Sequence, residues 1–116
     1  MTVSQKQRLT AFELLGTSYL KKSIMRRFIA IVERKPGVTA SDIADYSARE
    51  AERFKELFDA GVIWQYYKQL DSGNFWLIVH SSSPEDAQAQ LYTFPYYGLG
   101  FITIRIIELD ENKLTR

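Results

Sequence analysis

The segment from Arg27 to Glu33 (RFIAIVE) constrains the fold more than any other part of the chain. Its apolar residues, several of them β-branched, stand at odd and even positions alike, which is the pattern of a strand covered on both faces of its sheet. The run ends at Lys35-Pro36-Gly37, where the chain must turn. We therefore predict a central strand here, and the rest of the chain has to supply the layers on either side.

Two segments have the sequence pattern of helices. Thr39 offers an N-cap with an acid three positions later, and the pattern stays helical until Gly61, a C′ residue, which predicts a first helix over about residues 40–60. Ser83 is followed by a proline and two acids, which suit the first turn of a helix, and the pattern predicts a second helix over about residues 84–93.

Three further strands complete the set of elements. The turn Asp71-Ser72-Gly73 joins residues 62–70 to residues 74–80 as an antiparallel hairpin. Residues 101–109 (FITIRIIEL) form the last strand, after a loop at residues 96–100. The order is βαββαβ, which predicts an α+β ferredoxin-like fold with four antiparallel strands and two helices on one face of the sheet.

The second face of such a sheet would remain bare, yet in this chain it is apolar as well. The last strand alternates isoleucines with a second series of residues that contains Phe101, Thr103 and Arg105, and we assign this second series to the bare face. An apolar sheet face of this size is normally covered by another subunit. We therefore predict a homodimer or a larger homo-oligomer that makes contact through the face with Phe101 and Arg105.

The length of 116 residues suits one domain, which we place at residues 25–110. Residues 1–24 are predicted to form an amphipathic helical extension, and residues 111–116 a charged tail. The extension is either an arm that packs on a partner subunit or a simple upstream addition. A third possibility, a helix lying on a membrane surface, is disfavoured by Glu13 within it and by Leu14 outside its apolar stripe.

Composition excludes several classes of function. Fifteen basic and fourteen acidic residues give a net charge of +1, and no basic stripe follows any element, so we expect no nucleic-acid partner. Cysteine is absent and His80 is the single histidine, which argues against a metal site or a thiol nucleophile. There is neither an apolar run of about 20 residues nor a signal-peptide pattern, so we expect no membrane span and a cytoplasmic location.

Glu50 is the most informative candidate for chemistry. At about 100° per residue it falls in the middle of the apolar face of the first predicted helix. A carboxylate held beneath a sheet is disfavoured in its charged form, so its pKa rises towards the value that a general base needs near neutral pH. The alternatives are a structural pair with Arg105, Lys68 or a tyrosine hydroxyl, or a place at the rim where the carboxylate meets water.

His80 ends the third strand, and a single imidazole can transfer protons near pH 7, although most lone histidines at strand ends are solvated or hydrogen-bonded to the backbone. Arg105, or alternatively Lys68, can hold a carboxylate substrate, while an interfacial ion pair explains Arg105 as well. Several aromatic residues are candidate pocket walls for a small flat ligand, or else part of the core and the dimer interface. Those named as candidates for substrate contact are Tyr46, Tyr67, Trp76 and Tyr96.

The order and spacing of several short features resemble the muconolactone isomerase family over about residues 25–109. They are Ala48, Glu50 and Glu52 in a helix that ends at Gly61, the hairpin exit Gly73-Asn74-Phe75, Glu85 at the start of the second helix, and Leu91 followed by Phe94-Pro95 and an aromatic loop. The chain departs from the family at Gln65, at Tyr67-Lys68 and at Arg105, where the family has a His, a Trp-Arg pair and an acid, and residues 1–24 have no counterpart.

The resemblance implies a dimeric α/β barrel whose dimers can assemble into a larger ring. It also implies a cofactor-free isomerase that moves a proton and a double bond within a small unsaturated lactone acid, as in the catabolism of aromatic compounds. Glu50 occupies an acidic position of the family's first helix and is the candidate base. Two other functions stay open, namely a cofactor-free monooxygenase and a module that binds a small ligand or assembles without chemistry.

Overall fold

The computed structural model describes residues 25–110 of the protein. The predicted N-terminal helix and the charged tail lie outside the described residues. The described chain contains, in order, β1 (Arg26–Arg34), α1 (Ala40–Ala44), α2 (Ser47–Asp59), β2 (Ile63–Lys68), β3 (Phe75–Ser81), α3 (Pro84–Leu91), α4 (Pro95–Gly98) and β4 (Ile102–Leu109).

The four strands form one antiparallel sheet in the order β2-β3-β1-β4, so that β1 is central as its sequence predicts. In β1, Ile31 lies opposite Trp76 of β3 on one side and opposite Arg105 of β4 on the other. This strand order with helices on one face is the ferredoxin-like arrangement. The α+β, ferredoxin-like prediction is confirmed.

The core lies between the sheet and the helices. Phe28, Ala30 and Val32 point to this inner face from β1, and Leu57 of α2 and Leu91 of α3 close the layer from the helical side. Alternation along each strand places the inner-face residues on every second position. The buried residues from the other strands and the following loops are Ile63, Leu77, Val79, Ala87, Phe94, Ile102 and Ile104.

The helix starts form as their sequences predict. The Thr39 hydroxyl accepts a hydrogen bond from the backbone N–H of Asp42 at 3.2 Å, and the Asp42 carboxylate accepts one from the Thr39 N–H at 2.8 Å, which completes a capping box. The Ser83 hydroxyl caps α3 by accepting from the Asp86 N–H at 3.0 Å. No helix within residues 25–110 has the length and apolar character that crossing a membrane requires.

The single helix expected over residues 40–60 is in fact two helices, because the chain breaks at Asp45 and Tyr46. The Tyr46 N–H bonds to the carbonyl of Ile43, three residues back, and the Ser47 hydroxyl donates to the carbonyl of Ala44 at 3.0 Å. A hydroxyl that bonds the preceding turn competes with the regular helical ladder. The other boundaries differ from the expected ones by one or two residues, except that α4 occupies part of the expected loop.

The opposite face of the sheet, called here the outer sheet face, carries Ile29, Ile31, Tyr67, Trp76, Ile78, Arg105 and Ile107. Trp76 and Tyr67 remain 40% and 58% exposed. The assignment of Phe101 to this face is wrong, because residue 101 precedes β4 and its ring packs at 5.9 Å from Tyr46 and 6.2 Å from Tyr96. Arg105 does lie on the outer sheet face, as expected.

A β-bulge interrupts β2 between Ile63 and Gln65. Trp64 is the extra residue, and its indole N–H donates to the carbonyl of Gly61 at 2.8 Å. Its ring stacks on His80 of β3, with centroids 3.9 Å apart and planes at 15°. A bulge of this kind changes the alternation of the residues that follow it.

Candidate functional site

A cavity of about 740 Å³ lies between the inner face of the sheet and helix α2. Its volume falls within the range of small-molecule sites, and most of its lining is apolar. The ionisable side chains that line it are Arg34, Glu50, Tyr66, Lys68 and Tyr96. The apolar walls are formed by Val32, Ile43, Ala51, Phe54, Phe75, Leu77, Phe94 and Ile102.

Glu50 lies in the first turn of α2, on the side of the helix that faces the sheet, and its carboxylate lines the cavity. The inward direction expected from helical periodicity is confirmed. Burial raises the pKa of Glu50 to about 7, and the hydrogen bond from the Tyr96 backbone N–H opposes this rise only in part. At neutral pH the carboxyl is therefore divided between its charged and neutral forms.

The single hydrogen bond described for the Glu50 carboxylate comes from the backbone N–H of Tyr96, at 2.8 Å. Arg105 lies on the other side of the sheet and is not its partner. No lysine, arginine or tyrosine hydroxyl among residues 25–110 bonds to this carboxylate. Of the roles considered for Glu50, a structural ion pair is thus absent in the described chain, and the carboxylate remains accessible from the cavity.

Two cations border the cavity near the β2–β3 hairpin. Arg34 ends β1 and Lys68 ends β2, and both stand at inner-face positions of their strands. The Arg34 guanidinium lies beside Gly73 of the hairpin turn, where an added Cβ would be 3.6 Å from it. The Arg34 backbone N–H donates to the side-chain oxygen of Asn74 at 3.2 Å. These two side chains can bind the negative group of a ligand whose other end reaches Glu50.

Arg34 is the site residue that the sequence analysis missed. It stands two positions after Val32, so strand alternation from the apolar inner-face residues of β1 points to it. The predicted first strand ends at Glu33, so Arg34 falls outside it. Because both faces of β1 are apolar, the inner face is identified by the register in the structure and not by the residue types.

Tyr96 lies in α4 and joins the cavity wall to Glu50. Its hydroxyl donates to the carbonyl of Ile43 across 3.5 Å, which is a long and weak hydrogen bond. Burial raises the pKa of Tyr96, the negative charge of Glu50 raises it further, and the positive charge of Arg34 lowers it. The phenol is therefore close enough to both groups to feel their charges, and it is protonated throughout the neutral range.

The predicted site residues divide between the two faces of the sheet. Glu50, Lys68 and Tyr96 come together at the cavity. Tyr46 precedes α2 and packs its ring at 5.9 Å from Phe101, and it is not part of the cavity lining. The other four predicted residues, namely Tyr67, Trp76, His80 and Arg105, stand on the outer sheet face, away from Glu50.

His80 has a different environment from the one a cavity base would need. The Arg27 side chain donates to its Nε2 at 3.2 Å, and Trp64 stacks on its ring. The whole thickness of the sheet separates the imidazole from Glu50, so the two groups do not act on one ligand within one subunit. Within residues 25–110, no three His, Asp or Glu side chains are grouped so as to hold a metal ion.

Comparison with known proteins identifies no family for this chain. No family model matches the chain, and no curated protein matches it. It is similar in structure to the protein At3g17210 from Arabidopsis thaliana, with 11% identity and a TM-score of 0.45 over 78% of this chain and 99% of that one. It is also similar to PH0061, with 16% identity and a TM-score of 0.41 over 77% of this chain and 55% of that one. Likeness at this level supports no conclusion about function.

Proposed function

We propose that the protein is a cofactor-free isomerase of the muconolactone isomerase type, which moves a proton and a double bond within a small unsaturated carboxylated compound. The observation that carries the proposal is the position of Glu50, a carboxyl with a pKa of about 7 that opens into a largely apolar cavity. A general base is most effective when its pKa lies near the working pH.

One carboxylate is sufficient for this reaction. Glu50 removes a proton from a carbon next to an unsaturated carbonyl group, and the electron pair of the broken C–H bond moves into the conjugated system. The resulting carboxylic acid returns the proton to another carbon of the same system, so the double bond shifts and the enzyme regains its charge.

Arg34 and Lys68 give the site its charge selectivity under this proposal. Both line the cavity with Glu50, and a substrate carboxylate bound between them would neutralise their charge. The apolar side chains between the cations and Glu50 suit the hydrocarbon part of such a compound. Arg105 is one possible anchor from the sequence alone, but Arg34 is the better candidate because it lines the cavity with Glu50.

The direct test compares wild type with Glu50→Gln on a panel of unsaturated lactone acids, followed by proton NMR in heavy water. Gln keeps the shape and can still accept the Tyr96 hydrogen bond, but it cannot remove a proton. We expect turnover to fall roughly 10²- to 10⁴-fold with the protein still folded. Glu52→Gln, which removes an exposed acid from the same helix, is the matched control and should be silent. Full activity of Glu50→Gln would refute the mechanism.

A second candidate is a ligand-binding module without turnover, and the predominance of apolar side chains in the cavity favours it. In that case the lactone acids would bind without isomerising. Glu50→Gln would then bind them as well as or better than wild type, because a charged carboxylate near the anion is removed. Binding measured without any isomerised product is the result that identifies this function.

We also propose that the protein forms a homodimer through the outer sheet face. Aromatic and aliphatic side chains with a single arginine occupy its centre, and Trp76 and Tyr67 are substantially exposed there. No helix of residues 25–110 packs on that face. Patches of this kind mark protein interfaces, and a second copy offers a surface of matching chemistry.

A further inference from the structure

Tyr96 binds Glu50 through its main chain and reaches the same cavity through its side chain. Its backbone N–H donates to the Glu50 carboxylate at 2.8 Å, and its phenol belongs to the cavity lining. A single residue thus fixes the orientation of the base and also presents a hydroxyl to whatever the base acts on. The proposed isomerisation does not yet use this hydroxyl.

The proposed reaction also requires a group, other than Glu50, that stabilises negative charge on the substrate. When the proton leaves carbon, negative charge accumulates on the carbonyl oxygen of the substrate as an enolate. Glu50 has become neutral at that moment and holds the transferred proton for return to carbon. Enzymes of this type stabilise such an oxygen with hydrogen-bond donors fixed in advance inside a water-poor site.

The Tyr96 hydroxyl has the properties that such a donor requires. It keeps its proton at neutral pH, since burial and the neighbouring Glu50 both hold its pKa above the ordinary value. Its described acceptor, the carbonyl of Ile43, is 3.5 Å away. The hydroxyl therefore loses only a weak hydrogen bond when it turns towards a ligand. The charge of Arg34 acts on the same hydroxyl, so this donor lies in a region of positive potential from Arg34.

We propose that Tyr96 is a catalytic residue whose hydroxyl donates a hydrogen bond to the enolate oxygen formed when Glu50 removes the substrate proton. This role rests on the proposed isomerase function. The C–H bond breaks, the proton passes to a Glu50 oxygen, and the electron pair is delocalised onto the carbonyl oxygen. Tyr96 retains its own proton throughout. Return of the Glu50 proton to a second carbon restores the carbonyl, so no oxidant, reductant or co-reactant is consumed.

The test uses a stable anion that resembles the intermediate. Tetronate is the enolate of a five-membered lactone, and 2(5H)-furanone is a neutral lactone of similar shape. Both are titrated into the full chain and followed by NMR chemical shifts at about pH 6, where Glu50 with its pKa of about 7 is mainly protonated, as it is in the intermediate. The proteins are wild type, Tyr96→Phe and the control Tyr46→Phe, which removes the hydroxyl of a nearby residue that is not part of the cavity lining.

We expect Tyr96→Phe to weaken tetronate binding about tenfold or more, because a hydrogen bond to a charged oxygen is lost, and to change furanone binding less than about twofold. Tyr46→Phe should change neither affinity. A melting temperature close to that of wild type shows that Tyr96→Phe is folded. The assignment is overturned if tetronate does not bind to wild type, if Tyr96→Phe binds it as wild type does, or if both ligands weaken equally.

Glu50→Gln separates this inference from the proposed function. It imitates the protonated carboxyl at every pH, so its tetronate affinity should stay constant between about pH 6 and pH 8, whereas that of wild type should fall as Glu50 becomes charged. Loss of this difference would count against Glu50 as the titrating base. The dependence of tetronate binding on the Tyr96 hydroxyl is measured independently, because wild type and Tyr96→Phe both retain Glu50.

Discussion

The carboxylate of Glu50 accepts a hydrogen bond from the backbone N–H of Tyr96 across 2.8 Å, although 46 positions separate the two residues in the chain. The bond joins the first turn of α2 to the short helix α4, just before β4. A donor that is part of the main chain cannot take up or lose a proton, so it orients the carboxylate without supplying a counter-charge. Glu50 is therefore held in place while burial keeps its pKa high.

The activity of the proposed isomerase should depend on pH through Glu50. Because the charged form is the base, kcat/KM is expected to rise with pH and to reach half of its maximum near pH 7. The profile of Glu52→Gln should coincide with that of wild type, since this acid is exposed on the same helix. A rate that is already maximal at about pH 5 would contradict the assignment of Glu50 as the base.

Stability should depend on pH in the opposite sense. The pKa of Glu50 is raised in the folded protein from 4.5 to about 7, so the folded state binds the proton more tightly than the unfolded state. This residue's contribution to the free energy of unfolding is greatest below about pH 4.5 and is lost as the pH rises through about 7. We expect Glu50→Gln to be more stable than wild type at pH 8, on the order of 1 kcal/mol, since partial hydration of the carboxylate reduces the effect.

Urea unfolding of both proteins at about pH 4, pH 6 and pH 8 measures this difference. Wild type should lose stability relative to Glu50→Gln across the series. An equal dependence of both proteins on pH would show that Glu50 titrates normally.

The cations at the hairpin end of the cavity should determine affinity for carboxylated ligands. Arg34→Gln and Lys68→Gln each remove a positive charge from the lining, and we expect each to raise KM for a lactone acid roughly tenfold, with a smaller effect on the corresponding methyl ester. Arg105→Gln is the matched control, because Arg105 lies on the outer sheet face. A large effect of Arg105→Gln with silent Arg34→Gln would restore Arg105 as the anchor, acting across a subunit boundary.

Self-association should fail when charge is placed in the outer sheet face. Trp76 pairs with Ile31 and Tyr67 at the centre of that face, so Trp76→Glu would bury a carboxylate between two apolar surfaces. Sedimentation velocity at micromolar concentration should show a dimer or larger species for wild type and a monomer for this variant. Phe58→Glu, at an exposed apolar residue of α2, is the control and should not change the mass. A monomeric wild type would refute the dimer.

The attachment of α2 to the sheet depends on Leu57, which is 2% exposed. We expect Leu57→Ala to cost roughly 2–5 kcal/mol in the free energy of unfolding, because it leaves a cavity in the core. Phe58→Ala, next to it but 48% exposed, should cost much less. If urea unfolding showed equal decreases in the free energy of unfolding for the two variants, α2 would have to pack on the sheet through a different face.

Most of the fold could be predicted because local signals and long-range pattern agree. The Thr39 and Ser83 caps, the C′ Gly61 and the two-sided apolar strand β1 each specify an element, and their order leaves few topologies. The break at Tyr46 could not be predicted in the same way. The Ser47 hydroxyl donates there to the carbonyl of Ala44, and the Tyr46 ring packs on Phe101, which is distant in sequence.

The candidate site was predicted only in part, for a geometric reason. Helical periodicity is sufficient to direct Glu50 inward, because the apolar face of α2 is well marked. The strands give no comparable signal, since both faces of the sheet are apolar and residue type does not distinguish them. Trp76 and Arg105 were therefore associated with Glu50 although the register places them on the opposite face.

The bulge at Trp64 determines which chemical groups β2 contributes to the cavity. Counted in regular alternation from the buried Ile63, Gln65 and Tyr67 would face inward. The extra residue reverses this parity, so Tyr66 and Lys68 face α2 instead and Tyr67 joins the outer sheet face. Because of this one inserted residue, β2 presents the amine of Lys68 to the cavity and not the amide of Gln65. The cavity wall formed by β2 is therefore positively charged and attracts anions.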